Sequence, residues 1–257
     1  MKHFVLTLIA TVALCTTATA QTKVKNIYAS SAKLDIELLQ DEAQTVQLNR
    51  YLFAGYNTLC MPMSLTADQL AVAAKDVRVE RLAAIQQEGA TLNLIFVECT
   101  AEGIQAGIPY LVYSPTAQYL RAKNTDALTV SSELKAVRMS DDNGNQVTFG
   151  SGWENITKVG RYGIPAQQNV TPLESVLVRT EADKNFLPTR CGFTWDKQSP
   201  SAANLFIKHV ANMSDVTAIV GVEQAQKATA SYDLQGRKLT TATKGIRIQE
   251  GKKTVVK

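Results

Sequence analysis

Apolar and polar residues alternate along much of the chain between residues 33 and 210. The alternation is clearest over 33–38, where leucine and isoleucine alternate with charged residues, and period two is typical of a strand with one buried face. The same pattern predicts further strands over 46–52, 77–85, 91–97, 108–113, 128–139, 147–149, 175–180, 191–195 and 205–210. Glycine and proline separate these segments, which favours an all-β body folded as an antiparallel sandwich or barrel.

Only one segment has the pattern of a helix. Thr66 is a favourable N-cap for residues 67–75, and Asp68 in the first turn lies near the positive end of the helix dipole. Apolar residues recur along one side of the segment, as in an amphipathic helix. The sequence therefore predicts one short helix in an otherwise β body.

The segment 141–145, with the sequence Asp-Asp-Asn-Gly-Asn, is the strongest turn signal in the chain. Asn143-Gly144 accepts positive φ at both central positions of a two-residue hairpin loop, so a hairpin leading into 147–149 is predicted. A calcium site is the alternative for so acidic a turn. An EF-hand loop needs ligands at alternating positions and a distal glutamate, and because that register is absent the plain turn is preferred.

The N-terminus has the pattern of a secretory signal peptide. Lys2 and His3 precede an apolar run over 4–14, and Ala18-Thr19-Ala20 fits the small-x-small rule for cleavage between Ala20 and Gln21. The run is shorter than the roughly 20 apolar residues that a spanning helix needs. An uncleaved anchor and a lipoprotein attached through Cys15 are the alternatives to a cleaved peptide over 1–20.

Charge and composition divide the rest of the chain. Residues 21–210 form the predicted body, 211–230 are small and polar like a linker, and 231–257 form a basic tail with the pattern of a small β-hairpin unit. The pI of about 8.8 is mainly a property of this tail. A nucleic-acid binder would carry its basic residues on a folded face, so no nucleic-acid partner is expected.

The tail carries an ordered set of small and basic residues at Tyr232, Asp233, Gly236, Arg237, Gly245, Gly251, Lys252, Lys253 and Lys257. This set resembles a short version of the type IX secretion sorting domain of exported Bacteroidetes proteins. Segments 56–62, 106–112 and 187–193 resemble an uncharacterised β module that often precedes such a tail. The resemblances imply export through the outer membrane and a β architecture, and they imply no chemistry. A hairpin that only completes the fold is the alternative for the tail.

Three cysteines remain after removal of the signal peptide: Cys60, Cys99 and Cys191. An odd number permits one internal disulfide and one free thiol. A Cys60–Cys99 bridge would close a loop of about 40 residues and is the candidate disulfide. Buried reduced thiols are the alternative. The cysteines lack the clustering that a metal site requires, so no metal is predicted.

The sequence contains no clear pattern of catalytic residues. His209 is the single histidine of the mature chain, and no Gly-x-Ser-x-Gly elbow is present, which leaves a Cys191–His209 thiol dyad as the one nucleophilic option. A glycoside hydrolase would need paired carboxylates, for which the sequence offers Glu98, Glu102, Glu154 and Glu174. Aromatic residues could instead stack on sugars, and the candidates are Trp153, Tyr162 and Trp195. Trp153 and Tyr162 lie in glycine-rich, loop-like segments, whereas Trp195 is expected in the core of a strand.

The sequence therefore predicts a non-catalytic, exported β protein that acts as an adhesion or binding module. We expect it to be secreted or held at the outer-membrane surface, with the periplasm as the alternative. Its expected partners are the export machinery and an extracellular glycan or protein, without a cofactor. A secreted carbohydrate-active hydrolase with dispersed carboxylates and an envelope protein that assembles with others are the competing hypotheses.

Overall fold

A computed structural model describes most of the predicted body and four strands of the tail. The described ranges are 23–157, 160–165, 177–180, 185–196, 204–217, 231–232, 238–239, 245–249 and 252–256. Several predicted positions lie outside them: Ala20, Gln21, Glu174, Asp233, Gly236, Arg237, Gly251 and Lys257.

Strands dominate the described residues, and they are short. In chain order they are β1 (Lys25–Tyr28), β2 (Val46–Leu52), β3 (Gly55–Cys60), β4 (Met63–Ser64), β5 (Arg78–Glu88), β6 (Thr91–Glu98), β7 (Pro109–Ser114), β8 (Gln118–Lys123), β9 (Thr129–Val130), β10 (Val137–Ser140), β11 (Gln146–Gly150), β12 (Ile156–Thr157), β13 (Tyr162–Gly163), β14 (Val178–Arg179), β15 (Asn185–Phe186), β16 (Gly192–Asp196), β17 (Asn204–Val210), β18 (Ser231–Tyr232), β19 (Lys238–Leu239), β20 (Gly245–Gln249) and β21 (Lys252–Val256). The helical elements are α1 (Ile36–Gln40), α2 (Ala67–Ala73), a 3₁₀ turn at Thr100–Glu102 and a turn of helix over 213–217.

The strands form three sheets of three or more strands in the body. Their orders are β1-β2-β8, β17-β6-β5-β7-β3 and β10-β11-β16-β13-β14, with the small pairs β4-β9 and β12-β15 beside them. The tail strands form a separate sheet in the order β19-β18-β20-β21. The predicted all-β class, barrel-like and with antiparallel pairing predominant, is confirmed. Two pairs, β1–β2 and β17–β6, are parallel instead, and β1 and β17 each lie at an edge of their sheet.

The sheet β17-β6-β5-β7-β3 is strongly curled. Tyr56 lies on one edge strand, β3, and His209 lies on the opposite edge strand, β17. The two rings nevertheless stack with centroids 4.3 Å apart. The two edges of the sheet therefore approach each other and the sheet forms a half-barrel.

The hollow of this half-barrel is filled by aromatic side chains from the second five-stranded sheet. Phe149 on β11 and Phe193 on β16 stack at 4.3 Å, and both meet Phe96 of β6 edge to face. All three rings are fully buried, and such aromatic pairs stabilise a core beyond the area that they bury. The opposite face of the curled sheet packs on α2 and the sheet β1-β2-β8, which form a second core.

The predicted strand over 33–38 is wrong, because helix α1 begins inside it. Asp35 adopts extended backbone and its carboxylate accepts a hydrogen bond from the Leu38 amide at 3.0 Å, so it is the N-cap of the helix. Ile36 and Leu39 are the buried residues of the helix. The apolar residues over 33–38 fit period two, but the local cap and the spacing of Ile36 and Leu39 favour a helical turn.

The predicted hairpin at 141–145 is present, with a different turn. Strands β10 and β11 pair antiparallel, but only Gly144 has positive φ, at 81°, so the loop is not the predicted two-residue turn. The Asp141 carboxylate accepts hydrogen bonds from the Asn143 amide and from both the amide and the side chain of Asn145. This carboxylate is thus used to fix the turn.

Helix α2 begins at the predicted N-cap. Thr66 and Gln69 form a reciprocal capping box, with the Gln69 amide donating to Thr66 Oγ1 at 3.2 Å and the Gln69 side chain accepting from the Thr66 amide at 2.7 Å. We expect Thr66→Ala to lower the free energy of unfolding by about 1 kcal/mol, because it leaves a helix amide unpaired. Urea denaturation measures this loss, and Thr66→Ser, which keeps the hydroxyl, should unfold like the unaltered protein.

Candidate functional site

The sheet β1-β2-β8 carries exposed aromatic rings on its outer side. Along β2 the side chains of Leu48 and Leu52 are fully buried, whereas that of Tyr51 is 38% exposed. Tyr119 on β8 is the register partner of Tyr51 and is equally exposed, and Tyr28 on β1 is 47% exposed. We call this surface the aromatic face, and it comprises Tyr28, Tyr51, Phe53 and Tyr119 with the polar residues Asn26, Gln47, Asn49, Arg121 and Lys123.

The rings of the aromatic face contact one another edge to face. The Tyr51 and Tyr119 centroids are 5.1 Å apart, and Tyr28 lies 6.5 Å from Tyr119. Phe53, just beyond the end of β2, lies 5.0 Å from Tyr51 with the ring planes nearly perpendicular. The strand register and these contacts hold the rings in place, so a ligand that binds them would not have to order them first.

Side-chain amides lie beside the rings. The Gln47 amide nitrogen donates to Asn26 Oδ1 at 3.1 Å and to Asn49 Oδ1 at 3.0 Å. Asn49 in turn donates to Asn26 Oδ1 at 3.1 Å and to the Ile27 carbonyl. An amide carries two donors and an acceptor with two lone pairs. Asn49 is buried, whereas Asn26 and Gln47 reach solvent and can therefore also hydrogen-bond hydroxyl groups.

The charge on the aromatic face is positive. The Arg121 guanidinium lies over the Tyr119 ring, 5.2 Å from its centroid, and Lys123 is the register partner of Gln47. Side chains alternate along a strand, so the outward positions are 26 and 28 on β1, 47, 49 and 51 on β2, and 119, 121 and 123 on β8. None of these eight positions on the three strands holds Asp or Glu.

These groups together suit a sugar. The face of an aromatic ring is negative, and it attracts the slightly positive C–H groups on the apolar side of a pyranose. Amides bind the hydroxyls at the rim of the sugar, and cations bind a carboxylate substituent. An exposed apolar patch with a polar rim is typical of a binding site.

A second group of polar side chains, which we call the buried polar cluster, lies at one end of the half-barrel and comprises Tyr56, Arg78, Glu80 and His209. Glu80 is 2% exposed, and its carboxylate contacts His209 Nδ1 at 2.5 Å and Arg78 Nε at 3.2 Å. Arg78 Nη2 donates to the Tyr56 hydroxyl at 2.6 Å. One carboxylate therefore connects strands β3, β5 and β17.

The electrostatics of the buried polar cluster favour a structural role. Burial, together with the nearby Glu80 carboxylate, raises the pKa of Tyr56 to about 12, so the phenol keeps its proton at neutral pH. Arg78 lies over the ring of Tyr113 at 5.1 Å, which holds the guanidinium at the edge of the core. Cation, carboxylate and imidazole thus partner one another, as a buried charge requires.

The carboxylates that the sequence offers for hydrolysis lie at exposed positions in the part of the chain that the structure describes. Glu98, Glu102 and Glu154 are all exposed; Glu102 pairs with Arg81, and Glu154 pairs with Lys33 at 3.0 Å. Glu174 lies outside the described residues. Among the residues that the structure describes, Glu80 is the single buried carboxylate, so no facing pair of buried carboxyl groups occurs there.

The structure does not bring the predicted disulfide partners together. Cys60 and Cys99 are both buried free thiols, and they belong to different hydrophobic cores. The cysteine that interacts with Cys60 is Cys191, whose thiol raises the pKa of Cys60. The groups of the Cys191–His209 dyad have other partners. The Cys191 backbone amide donates to Thr58 Oγ1 at 2.9 Å, and the His209 ring is paired with the Glu80 carboxylate.

The aromatic residues considered for sugar stacking are half-buried. Trp153 donates its indole N–H to the Ser132 carbonyl at 2.7 Å, and Tyr162 and Trp195 pack together against the core of the half-barrel. The aromatic face was missed because neither β1 nor β8 was predicted as a strand. The sequence of β8 does contain the alternation of a half-buried strand. Tyr119, Arg121 and Lys123 alternate with Leu120 and Ala122, which are buried.

Within the described ranges, no three histidine, cysteine or carboxylate side chains cluster as metal ligands would. No helix in that part of the chain is long and apolar enough to cross a bilayer. No family model, no curated protein and no solved structure matches this chain.

Proposed function

We propose that this protein is an exported, non-catalytic binding module that holds an acidic polysaccharide, a polyuronate, on its aromatic face. The observation that carries the proposal is the set of three half-exposed tyrosines that meet on one side of the sheet β1-β2-β8. Exposed tyrosines combine an apolar ring with a polar hydroxyl, and such residues are enriched at binding surfaces.

The charge of the face selects the class of glycan. Arg121 and Lys123 are the charged residues at the eight outward positions of the three strands, and both are cations. A neutral glucan would leave them unused, whereas the carboxylate of each uronic acid residue can pair with them. Complementary charge contributes mainly to specificity and to the rate of association.

The buried polar cluster supports a binding module over a hydrolase. Glycoside hydrolysis requires two carboxyl groups about 5–10 Å apart across a cleft. Glu80 has no second buried carboxylate beside it in the described part of the chain, and its oxygens are engaged by Arg78 and His209. This cluster is therefore assigned to the fold, and binding is assigned to the aromatic face.

Export is the second part of the proposal. It is supported by the signal-peptide pattern over 1–20 and by the resemblance of residues 231–257 to a short type IX sorting domain. A module that binds polysaccharide functions where polysaccharide is found, at the cell surface or outside the cell. The tail is proposed to deliver the body there.

Affinity gel electrophoresis tests the binding proposal. The native protein is run in gels that contain polygalacturonate, a neutral glucan of similar length, or no polymer. We expect retardation in the polygalacturonate gel that weakens with added salt, because salt screens the contacts of exposed cations. Equal mobility in all three gels, or retardation by the neutral glucan alone, would reject a polyuronate ligand.

Arg121 provides a test of the charge argument. We expect Arg121→Glu to weaken polygalacturonate binding about tenfold, equivalent to about 1.4 kcal/mol, because it places a like charge next to the uronate. Arg138→Glu is the matched control, since Arg138 is also exposed but lies on β10, away from the aromatic face. Isothermal titration at two salt concentrations compares the affinities of the two variants. An equal loss of affinity in Arg121→Glu and Arg138→Glu would contradict the assignment.

Cell fractionation tests export. The intact protein and a version that lacks 228–257 are followed in the native host, with mass spectrometry of the mature termini. The proposal predicts a mature N-terminus at Gln21, surface or extracellular location of the intact protein, and periplasmic retention of the truncated one. Material that retains Met1 in the cell interior would refute export, and an unchanged location after truncation would refute the role of the tail.

A further inference from the structure

Cys60 and Cys191 lie where the curled sheet meets the second five-stranded sheet. Cys60 is the last residue of β3, and its amide donates to the Thr189 carbonyl at 2.9 Å. Two residues earlier, Thr58 Oγ1 accepts a hydrogen bond from the Cys191 amide at 2.9 Å and donates to the Cys191 carbonyl at 3.1 Å. These bonds fix the backbone of the 189–191 segment beside the end of β3.

Both cysteines are free thiols in the structure, and both are inaccessible. Cys60 and Cys191 are 0% and 1% exposed and belong to the same hydrophobic core. The neighbouring Cys191 thiol and burial both raise the pKa of Cys60. A disulfide requires two cysteines on adjacent, correctly oriented backbone segments, and this pair meets the requirement of adjacency, whereas Cys99 lies in the other core.

We propose that Cys60 and Cys191 are joined by a disulfide bond in the exported protein. The inference rests on the export part of the proposed function, because disulfides form and persist in oxidising compartments. The oxidant is the disulfide of a thiol oxidoreductase of that compartment. The two protein thiols give up two protons and two electrons, one S–S bond forms between Cys60 and Cys191, and the oxidant's disulfide is reduced to two thiols.

Two arginines lie close to the Cys191 segment in the folded protein. The buried guanidiniums of Arg50 and Arg161 both interact electrostatically with Cys191. Arg50 donates to the Thr58 carbonyl at 3.2 Å, and Arg161 donates to the carbonyls of Gly150 and Gly192 at 2.5 and 3.3 Å. The bond forms before the core closes, since both sulfurs are buried afterwards.

Thiol counting and peptide mapping test the proposal. The full chain is exported in cells behind its own leader and, in parallel, behind an unrelated secretory signal. The protein is denatured with excess alkylating reagent, and its mass is measured by mass spectrometry. We expect one of the three thiols, that of Cys99, to be alkylated, and a mass about 2 Da below that of the fully reduced chain after correction for the adduct. Digestion without reductant should yield a linked peptide that contains Cys60 and Cys191.

Variants distinguish the possible pairings. Cys99→Ser should keep the linked peptide and leave no thiol to alkylate, whereas Cys191→Ser should lose the link and leave two alkylated thiols. Three alkylated thiols in exported protein, or a peptide that links Cys60 to Cys99, would overturn the proposal. Failure of the native leader to export, together with a Cys60–Cys191 link behind the unrelated signal, would count against the proposed location while supporting the bond.

Discussion

Replacement of Tyr51 and Tyr119 together by alanine is expected to weaken polygalacturonate binding at least 100-fold. The two rings are register partners at the centre of the aromatic face, 5.1 Å apart. Aromatic residues at the centre of an interface commonly contribute about 2 kcal/mol each, which corresponds to about a 30-fold change in Kd. Isothermal titration of the single and double variants measures the loss, and the singles are expected to lose about 30-fold each.

Two controls make this result specific. Tyr51→Phe and Tyr119→Phe keep the rings and should bind within about threefold of the unaltered protein, since a solvent-exposed hydroxyl contributes little. Phe206→Ala removes an exposed ring, 59% accessible, from β17 and should leave binding unchanged. The proposal would be contradicted if the double variant bound normally, or if Phe206→Ala reduced binding equally.

The second large effect is expected at Glu80. We expect Glu80→Ala to lower the free energy of unfolding by about 3 kcal/mol, because it leaves Arg78 and His209 without their buried carboxylate. Glu102→Ala is the matched control, since Glu102 pairs with Arg81 at an exposed site and its loss should cost less than about 1 kcal/mol. Urea denaturation of both variants measures the difference.

The Glu80 result also separates structural from catalytic roles. If the buried polar cluster joins β3, β5 and β17, Glu80→Gln should be less stable and yet bind polygalacturonate like the unaltered protein under native conditions. Equal stability of Glu80→Ala and Glu102→Ala would show that the buried carboxylate does not hold the half-barrel together. Hydrolysis of polygalacturonate by the unaltered protein, and its loss in Glu80→Gln, would favour the hydrolase hypothesis.

Local patterns in the sequence predicted much of the β body. The capping residue of α2 and the alternation over 46–52 and 91–97 correspond to elements in the structure. The strand prediction over 33–38 was wrong because the Asp35 side chain caps a helical turn. So short a segment can fit both the two-residue period of a strand and the 3.6-residue period of a helix. Strand β8 was missed because its sequence is largely polar and its stability comes from pairing with β2.

The candidate sites depend on contacts that no local pattern contains. Glu80 and His209 are 129 residues apart in the chain, and they meet because the sheet curls until its two edges approach each other. Cys191 reaches Cys60 only because Thr58, 133 residues away from Cys191, binds its backbone. The charge of the aromatic face likewise becomes visible only when β1, β2 and β8 are aligned. Register and curvature, which are tertiary properties, decide these sites.

The most direct test of the central claim is an NMR titration of tyrosine-labelled protein with polygalacturonate oligomers. The aromatic face predicts shifts in the ring signals of Tyr28, Tyr51 and Tyr119, while those of the buried Tyr56 and Tyr110 stay unchanged. Shifts at Tyr162 in place of these three, or saturating binding that moves none of the three, would contradict the account.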